Sequence, residues 1–259
     1  MRIWHLTIAL ALALAGGMSA NDALYEQGQK ALAAKDWDKA LGLLEGALSA
    51  DPDNLKFGSE YRQAVLARAR AVHPKDGQPA DFERSLKFFE KLTADHGNAS
   101  NAFLNYGFAY VDKMPAAGAI TQVILANTAL SHFAKSIEIK PSWIAYYTRG
   151  NSYLFWPKIF GKVGLGIADL EECMKIQKVQ GKRNYHVRAY VSLGDGYWKA
   201  DNLDKAKAVW SEGLKQFPES PDLKARLAKQ GDDLKLVIDD ALDPNKRVDT
   251  NLKDLWMNP

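Results

Sequence analysis

The chain has 259 residues, of which 47% are hydrophobic and 25% are charged, and its formal net charge is +3. This is the balance of an ordinary globular protein, with enough apolar residues to bury a core. The near-neutral charge argues against a dedicated nucleic-acid binder, which would carry a basic face or stripe.

The N-terminus has the pattern of a secretory signal peptide. Arg2 is followed by an apolar run over about residues 6–15 and then by small residues that end at Ala20. We therefore expect residues 1–20 to be removed after Ala20 and the protein to be exported, to the periplasm of a bacterium. An uncleaved N-terminal anchor is the alternative. No other apolar stretch approaches the ~20 residues of a membrane helix, so we expect no membrane span in the mature chain.

Two stretches far apart in the chain repeat one pattern. Residues 23–54 read ALYEQGQKALAAKDWDKALGLLEGALSADPDN and residues 189–220 read AYVSLGDGYWKADNLDKAKAVWSEGLKQFPES, and they align without a gap. Apolar residues at spacings of three and four predict amphipathic helices in both. The alignment pairs Gly28 with Gly194, Ala40 with Ala206, Leu44 with Trp210, and Pro52 with Pro218.

Both stretches resemble the tetratricopeptide repeat (TPR), a helix–turn–helix unit of about 34 residues. The resemblance implies an all-α fold in which the units stack into a right-handed superhelical array. Antiparallel helices approach closely only where small residues face each other. We therefore expect Gly28 to face Ala40, and Gly194 to face Ala206, within their repeats.

Three looser units lie between these two repeats. In the third unit the first-helix glycine, Gly107, and the second-helix alanine, Ala129, are 22 residues apart, against 12 in the first unit. In the fourth unit, Gly150 and Gly166 are 16 residues apart. The additional residues form two insertions, at residues 113–128 and 156–165.

The repeat register predicts the domain boundaries. The five units cover about residues 21–54, 55–99, 100–142, 143–186 and 187–220. A cap at residues 221–242, interpreted as one amphipathic helix, is expected to cover the last open hydrophobic face, as repeat arrays require. Residues 243–259 are predicted to form a polar tail with a short helix that ends at Trp256.

The second insertion contains the apolar run FWPKIF, and Pro157 argues against a continuous helix there. We predict an enlarged turn over residues 156–165 within the fourth unit. It is not a phosphate loop, because GKVGLG lacks both the residue order and the preceding strand of such loops. We expect Trp156, Ile159 and Phe160 to plug the neighbouring helices; the alternative is that they wall a binding site.

The sequence contains no catalytic constellation. His73, His96, His132 and His186 are far apart, and no pair has the spacing of a helical metal site. The single cysteine, Cys173, excludes an internal disulfide. It falls at a position where the TPR resemblance implies a small buried residue, so we expect an inert thiol. The sequence therefore predicts no enzyme, no cofactor and no metal site.

The TPR resemblance implies that function resides in the inner groove of the superhelix, which the first helices line. Its members combine aromatic contact area with hydrogen-bonding groups, and they lack the dense Lys/Arg clamp by which some TPR proteins hold a peptide carboxylate. Carried over unit by unit, the groove candidates are Tyr25, Phe108, Tyr147, Asn151, Phe155, Arg188, Asp195, Trp198 and Lys199.

Two functions remain open. The first is an exported, non-catalytic scaffold that binds a protein or peptide partner in the groove. The second is binding of a small apolar ligand in a pocket covered by the two insertions. That layout is similar to the TPR-built T component of TRAP transporters, which implies handling of an apolar ligand. An enclosed apolar cavity would favour the second function, and an open groove with exposed Trp198, Phe155 and Asn151 would favour the first.

Overall fold

The computed structural model describes residues 19–72, 79–244, 246 and 249–257, so that residues 1–18 of the predicted signal peptide lie outside the description. Within these ranges the chain forms thirteen α-helices and no strand. The helices are α1 (Ala20–Ala33), α2 (Trp37–Ala50), α3 (Leu55–Val72), α4 (Pro79–Asp95), α5 (Ser100–Lys113), α6 (Ala119–Ile139), α7 (Trp143–Leu154), α8 (Val163–Gln180), α9 (Val187–Lys199), α10 (Leu203–Gln216), α11 (Pro221–Ala228), α12 (Gly231–Ala241) and α13 (Asp254–Met257).

The helices pack as five consecutive hairpins, from α1–α2 to α9–α10. Each hairpin also packs against the next one along the chain, through α2–α3, α4–α5, α6–α7 and α8–α9. Buried apolar side chains fill the space within and between the hairpins. The predicted all-α repeat array is confirmed.

The first and fifth units share an unusual turn residue. Lys35 has a φ angle of 60° and Asp201 one of 61°, and the two occupy the same position of the repeat alignment. A left-handed conformation is unfavourable for residues with a side chain, so its recurrence indicates one shared turn geometry. In the fifth unit Asn202 then caps α10, because its side-chain oxygen accepts a hydrogen bond from the backbone N–H of Lys205 at 3.1 Å.

The first-helix glycines of these two units make room for bulky side chains. A methyl group added at Gly28 would lie 2.9 Å from Leu44 Cδ2, and one added at Gly194 would lie 2.1 Å from Trp210 Nε1. The closest atoms therefore belong to the bulky residues of the second helix, and not to the alanines that were expected to face the glycines. In the fourth unit two small residues do meet, since a methyl group at Gly166 would lie 2.8 Å from the backbone oxygen of Gly150.

The predicted single capping helix over residues 221–242 is wrong, because the cap consists of α11 and α12. The break falls before Gly231, whose φ angle of 52° favours glycine. Leu223, Leu234 and Ile238 of the two short helices are fully buried and pack with Trp210 of the fifth unit. The cap thus covers the last hairpin as expected, but with two helices.

The first insertion lengthens a helix. After a 3₁₀ turn at Met114–Ala116, α6 begins at Ala119, ten residues before the predicted second helix. The Gln122 side chain donates hydrogen bonds to the carbonyls of Met114 at 3.2 Å and Ala117 at 2.9 Å. These bonds join the 3₁₀ turn to the first turn of α6, which fixes the direction in which the added helix runs.

The second insertion is a shorter turn than predicted. It contains a 3₁₀ turn at Lys158–Phe160, and α8 begins at Val163. The expectation that all three large apolar residues plug neighbouring helices is wrong for two of them, since Ile159 is 89% and Phe160 57% exposed. Trp156 is half-buried. In the ranges that the structure describes, no helix is long and apolar enough to cross a membrane.

Candidate functional site

A cavity of about 710 Å³ lies between α5, α6, α7 and the C-terminal residues. We call it the groove cavity. Apolar and aromatic side chains make up most of its lining, and both insertions contribute. The lining residues are Phe108, Val111, Asp112, Met114, Pro115, Ala119, Gln122, Val123, Ala126, Ala129, Leu130, Phe133, Ile144, Tyr147, Thr148, Asn151, Ser152, Phe155, Trp156, Pro157, Arg188, Pro244, Lys246, Asp249 and Leu252.

Packed aromatic rings hold the wall formed by α5, α6 and α7 in place. The rings of Phe108 and Phe133 meet edge to face with centroids 5.3 Å apart. Phe133 can approach α5 because Gly107 has no side chain, and a methyl group there would lie 2.4 Å from the Phe133 ring. On α7, Tyr147 stacks on Trp143 with centroids 5.0 Å apart. Rings packed in this way have few alternative rotamers, so this wall is preformed.

A small uncharged polar patch interrupts the apolar lining on α7. Ser192 donates a hydrogen bond from its hydroxyl to Asn151 Oδ1 at 2.9 Å, which orients the amide group. The amide nitrogen of Asn151 donates to no other residue in the described part of the chain. Thr148, one helical turn earlier, lines the same cavity. The patch can therefore bind one hydrogen-bonding group of a ligand without contributing charge.

The C-terminal residues 249–257, which we call the tail segment, lie across the first helices α3, α5 and α9. At one end, Arg62 Nη2 donates to the carbonyl of Thr250 at 3.1 Å, and Arg62 Nη1 donates to Asp112 at 2.9 Å. The Thr250 hydroxyl donates to the other oxygen of Asp112. Asn105 Oδ1 accepts from Arg62 Nε at 2.9 Å. These four residues form one buried polar network that joins α3, α5 and the tail segment.

The tail segment continues to α9. Leu252 is 3% exposed and packs in the same apolar cluster as Phe108 and Phe133. Asp254 forms an ion pair of 2.6 Å with Arg188 of α9, and both side chains are partly exposed. The predicted tail therefore packs on the groove with its described residues, which form part of the cavity wall. Its short helix, predicted to end at Trp256, is α13 (Asp254–Met257).

The cationic groups at the cavity have acidic partners. Burial lowers the pKa of the Arg62 guanidinium, and the adjacent Asp112 carboxylate opposes that shift. Of the two cationic groups in the lining, Arg188 pairs with the tail segment and Lys246 pairs with Asp240. The Lys246–Asp240 pair is exposed and exchanges partners at little cost. An anionic ligand that paired with Arg188 would instead have to release Asp254 of the tail segment.

Five of the nine predicted groove residues line this cavity together, namely Phe108, Tyr147, Asn151, Phe155 and Arg188. They come from the first helices of the third, fourth and fifth units and from the end of α7. Asn151 and Phe155 are half-buried and not exposed. The groove cavity is therefore partly open, and it matches neither the enclosed cavity nor the exposed groove that were expected for the two functions.

Two of the other predicted residues pack against neighbouring helices. Tyr25 is buried and stacks on Phe57 of α3, with ring centroids 4.7 Å apart. Trp198 is half-buried and packs against the apolar cluster of the fifth unit and the cap. Neither lines the groove cavity.

The remaining two predicted residues hold the scaffold together. Asp195 is buried and accepts two hydrogen bonds, both of 2.6 Å, from Arg226 of the cap. The Lys199 ammonium donates to the backbone carbonyl of Trp156 at 2.9 Å, and it thereby ties the turn after α7 to α9. These two side chains position the cap and the second insertion, and they are not part of the cavity lining.

Sequence reasoning missed Arg62 and Leu252. The first helix of the second unit contains Gly58 but no glycine at the position that marks the other units, so its groove positions could not be carried over from the repeat. Leu252 lies in a segment whose composition is polar. The apolar triplet of Leu252, Leu255 and Trp256, spaced three and one apart, was the signal that could have found it.

Other candidate groups have packing roles. Cys173 is fully buried, as predicted, and burial raises the pKa of its thiol. Burial also lowers the pKa of His132 to about 4, and its ring packs 4.0 Å from the ring of Tyr106. His73 lies outside the described residues. The described ranges hold no cluster of three His, Cys, Asp or Glu side chains that could bind a metal ion.

No family model matches the sequence, and no curated protein matches it either. Solved structures of repeat proteins do match. TTC0263, a thermophilic TPR protein of Thermus thermophilus, has a TM-score of 0.52 and 20% identity over 81% of this chain and 97% of its own. A crystal structure of MamA has a TM-score of 0.50 and 17% identity over 79% of this chain and 98% of its own. The chain therefore has the fold of the tetratricopeptide-repeat proteins.

Proposed function

We propose that the chain is a non-catalytic TPR protein that binds a neutral, largely apolar small molecule in the groove cavity. The single observation that carries this proposal is the cavity itself, with its volume of about 710 Å³. Small-molecule sites usually measure roughly 300–1,000 Å³ and combine an apolar lining with a few polar groups. The groove cavity has this size and this composition.

The paired charges argue for a neutral ligand. A buried anion without a cationic partner is strongly unfavourable. Within the lining, Arg188 is held by Asp254 of the tail segment, and Lys246 is exposed to solvent. The amide nitrogen of Asn151 offers a hydrogen bond to an uncharged oxygen. A long-chain alcohol or ester fits these groups better than the fatty acid of the same length.

The experiment is a calorimetric titration with a long-chain 1-alcohol and with the matching fatty acid, both below their aggregation concentrations. We expect the alcohol to bind at least about tenfold more tightly than the acid, a difference of about 1.4 kcal/mol. Ala126→Trp places an indole in the cavity. We expect this variant to bind the alcohol at least about tenfold more weakly than the unmodified protein does.

The matched control is Ala168→Trp, which adds the same side chain at an exposed position of α8 outside the lining. It should bind the alcohol as the unmodified protein does. Equal affinities of the two tryptophan variants, or no binding by the unmodified protein, would exclude the groove cavity as the site.

A protein partner is the second candidate, because the first helices α3, α5 and α9 already bind a peptide, the tail segment. The contact from Arg62 to the Thr250 carbonyl recognises backbone and not sequence. A partner segment would have to replace the tail segment. A labelled peptide that copies residues 249–257 should then bind a Leu252→Asp variant and not the unmodified protein; absence of binding to both would remove this candidate.

We also propose that the protein is exported, on the strength of the N-terminal pattern that ends at Ala20. Expression of the full chain in a bacterium with a periplasm should yield a mature form beginning at Asn21 in the osmotic-shock fraction. An unprocessed chain that remains with the membranes would support the uncleaved anchor instead.

A further inference from the structure

Exposed apolar side chains concentrate in the two insertions. Of the eleven large hydrophobic residues that are most exposed in the described ranges, six lie in residues 113–128 and 156–165. Ile120 is 81%, Ile124 60%, Ile159 89% and Phe160 57% exposed. Scattered apolar residues on a surface need no explanation, but a contiguous patch usually marks an interaction site.

Both insertions place these exposed side chains next to residues that line the groove cavity. On α6, Val123 is 48% exposed and also lines the cavity, one residue from Ile124. In the second insertion, Trp156 lines the cavity and its ring meets that of Phe160 edge to face, with centroids 5.5 Å apart. We call Ile120, Val123, Ile124, Ile159 and Phe160 the apolar rim.

The charge of the second insertion is one-sided, because residues 156–165 contain two lysines and no acidic residue. Other basic residues near the two insertions are paired, Lys113 with Glu83, Lys135 with Glu138 and Arg149 with Asp169. Lys158 and Lys162 flank the rim in the second insertion. Lys158 contacts Asp201 at 2.7 Å, but both groups are exposed, and such a pair exchanges partners at little cost. Lys162 lies 5.4 Å from the ring of Trp156.

We propose that the apolar rim docks on the surface of a phospholipid membrane that contains anionic lipids, with the mouth of the groove cavity facing the lipid. Apolar and aromatic side chains enter the boundary between head groups and acyl chains, and lysines beside them contact phosphate groups. Trp156 at the mouth belongs to the residue types enriched at that boundary. This inference rests on the proposed function, because a membrane is the natural source of a neutral apolar ligand.

Membrane docking accounts for the apolar rim, which ligand binding alone does not. A cavity that takes its ligand from water needs no apolar residues outside its mouth. A cavity that takes its ligand from a lipid surface does need them, because the ligand must pass from acyl chains to the cavity without entering water. An apolar protein surface or a second copy of the chain would cover the rim without needing the two lysines beside it.

The test places an environment-sensitive dye at single sites of the full chain. Because Cys173 is fully buried, a dye will label an introduced Ile159→Cys in preference. Val179→Cys, at an 85% exposed apolar position near the end of α8, is the matched control. We expect vesicles of phosphatidylcholine with about 30% phosphatidylglycerol, a composition chosen for its negative surface charge, to shift the emission of the first dye to the blue and not that of the second.

Pure phosphatidylcholine vesicles should give a smaller shift, since the lysines then lack anionic head groups. Equal shifts at both sites, or no shift at Ile159→Cys, would overturn the proposal. A blue shift that grows with protein concentration in the absence of vesicles would assign the rim to self-association and would overturn it as well. Failure of the alcohol titration with an intact rim shift would reject the proposed function alone, which keeps the two outcomes distinguishable.

Discussion

The fifth unit and the third unit use the same small-residue position with different results. In the fifth unit Gly194 admits Trp210, which is fully buried, and the cap then closes over the hairpin. In the third unit Gly107 admits Phe133 in the same way, but α6 is lengthened at its start and extends beyond the hairpin core. The two hairpins therefore share one core geometry, while residues added outside that core create the wall of a cavity.

This difference implies that the residues that stabilise the fold and those that bind a ligand lie in different parts of the molecule. Substitutions in the sealed hairpin of the fifth unit should change the free energy of unfolding, and substitutions in the insertions should change binding. Four predictions test this separation, in descending order of expected effect.

Trp210→Ala should have the largest effect on stability. Removal of a fully buried indole leaves a cavity and should lower the free energy of unfolding by about 3–5 kcal/mol in urea denaturation. Leu203→Ala, at a partly exposed position at the start of α10, is the control and should change it by less than about 0.5 kcal/mol. A loss below about 1 kcal/mol for Trp210→Ala would mean that the fifth unit is not sealed as described.

Thr250→Val should have an intermediate effect. The valine keeps the shape but removes the donor to Asp112, so that a buried carboxylate loses one of its two partners. A buried polar group left without its partner costs about 1–3 kcal/mol. Lys253→Ala, at an exposed position of the same segment, should change stability little. Equal stability of both variants would show that the bond from the Thr250 hydroxyl to Asp112 contributes nothing to stability.

His132 should make stability depend on pH. Burial lowers its pKa to about 4, whereas the unfolded chain has an ordinary histidine. The stability that the neutral, buried ring contributes to the folded protein is therefore fully present above about pH 6.5. It is lost as the pH falls towards 4, because only the unfolded state takes up the proton readily. As the ring is partly exposed, we expect a loss of about 1 kcal/mol. His132→Gln should flatten this part of the pH profile, and an unchanged profile would contradict the assignment.

Ile120→Ser should have the smallest effect on stability. Its side chain is 81% exposed, so the free energy of unfolding should change by less than about 0.5 kcal/mol. The same substitution should reduce vesicle binding in a flotation assay. A large loss of stability would show that the apolar rim belongs to the core.

Much of the fold could be predicted from the sequence because the repeat fixes it locally. Gly28, Gly107, Gly150 and Gly194 mark the first helices, since only glycine admits the bulky residue opposite. The start of α6 could not be predicted in this way. It depends on hydrogen bonds from Gln122 to two carbonyls, a contact that no repeat position encodes.

The candidate site was predictable only in part. Phe108, Tyr147 and Asn151 were found because they occupy repeat positions on first helices. The tail segment was not, because its place in the groove depends on a contact between Arg62 and Thr250, which are 188 residues apart. Long-range pairs of this kind leave no local pattern, and Thr250 looks like any polar residue in the sequence.

The central claim is that the groove cavity binds a neutral apolar ligand. A crystal structure of the protein grown with a long-chain 1-alcohol tests it most directly. We predict continuous density for the alkyl chain between α5, α6 and α7, with the hydroxyl within hydrogen-bonding distance of Asn151 Nδ2. A cavity filled only with ordered water, at an alcohol concentration that saturates the calorimetric titration, would contradict it.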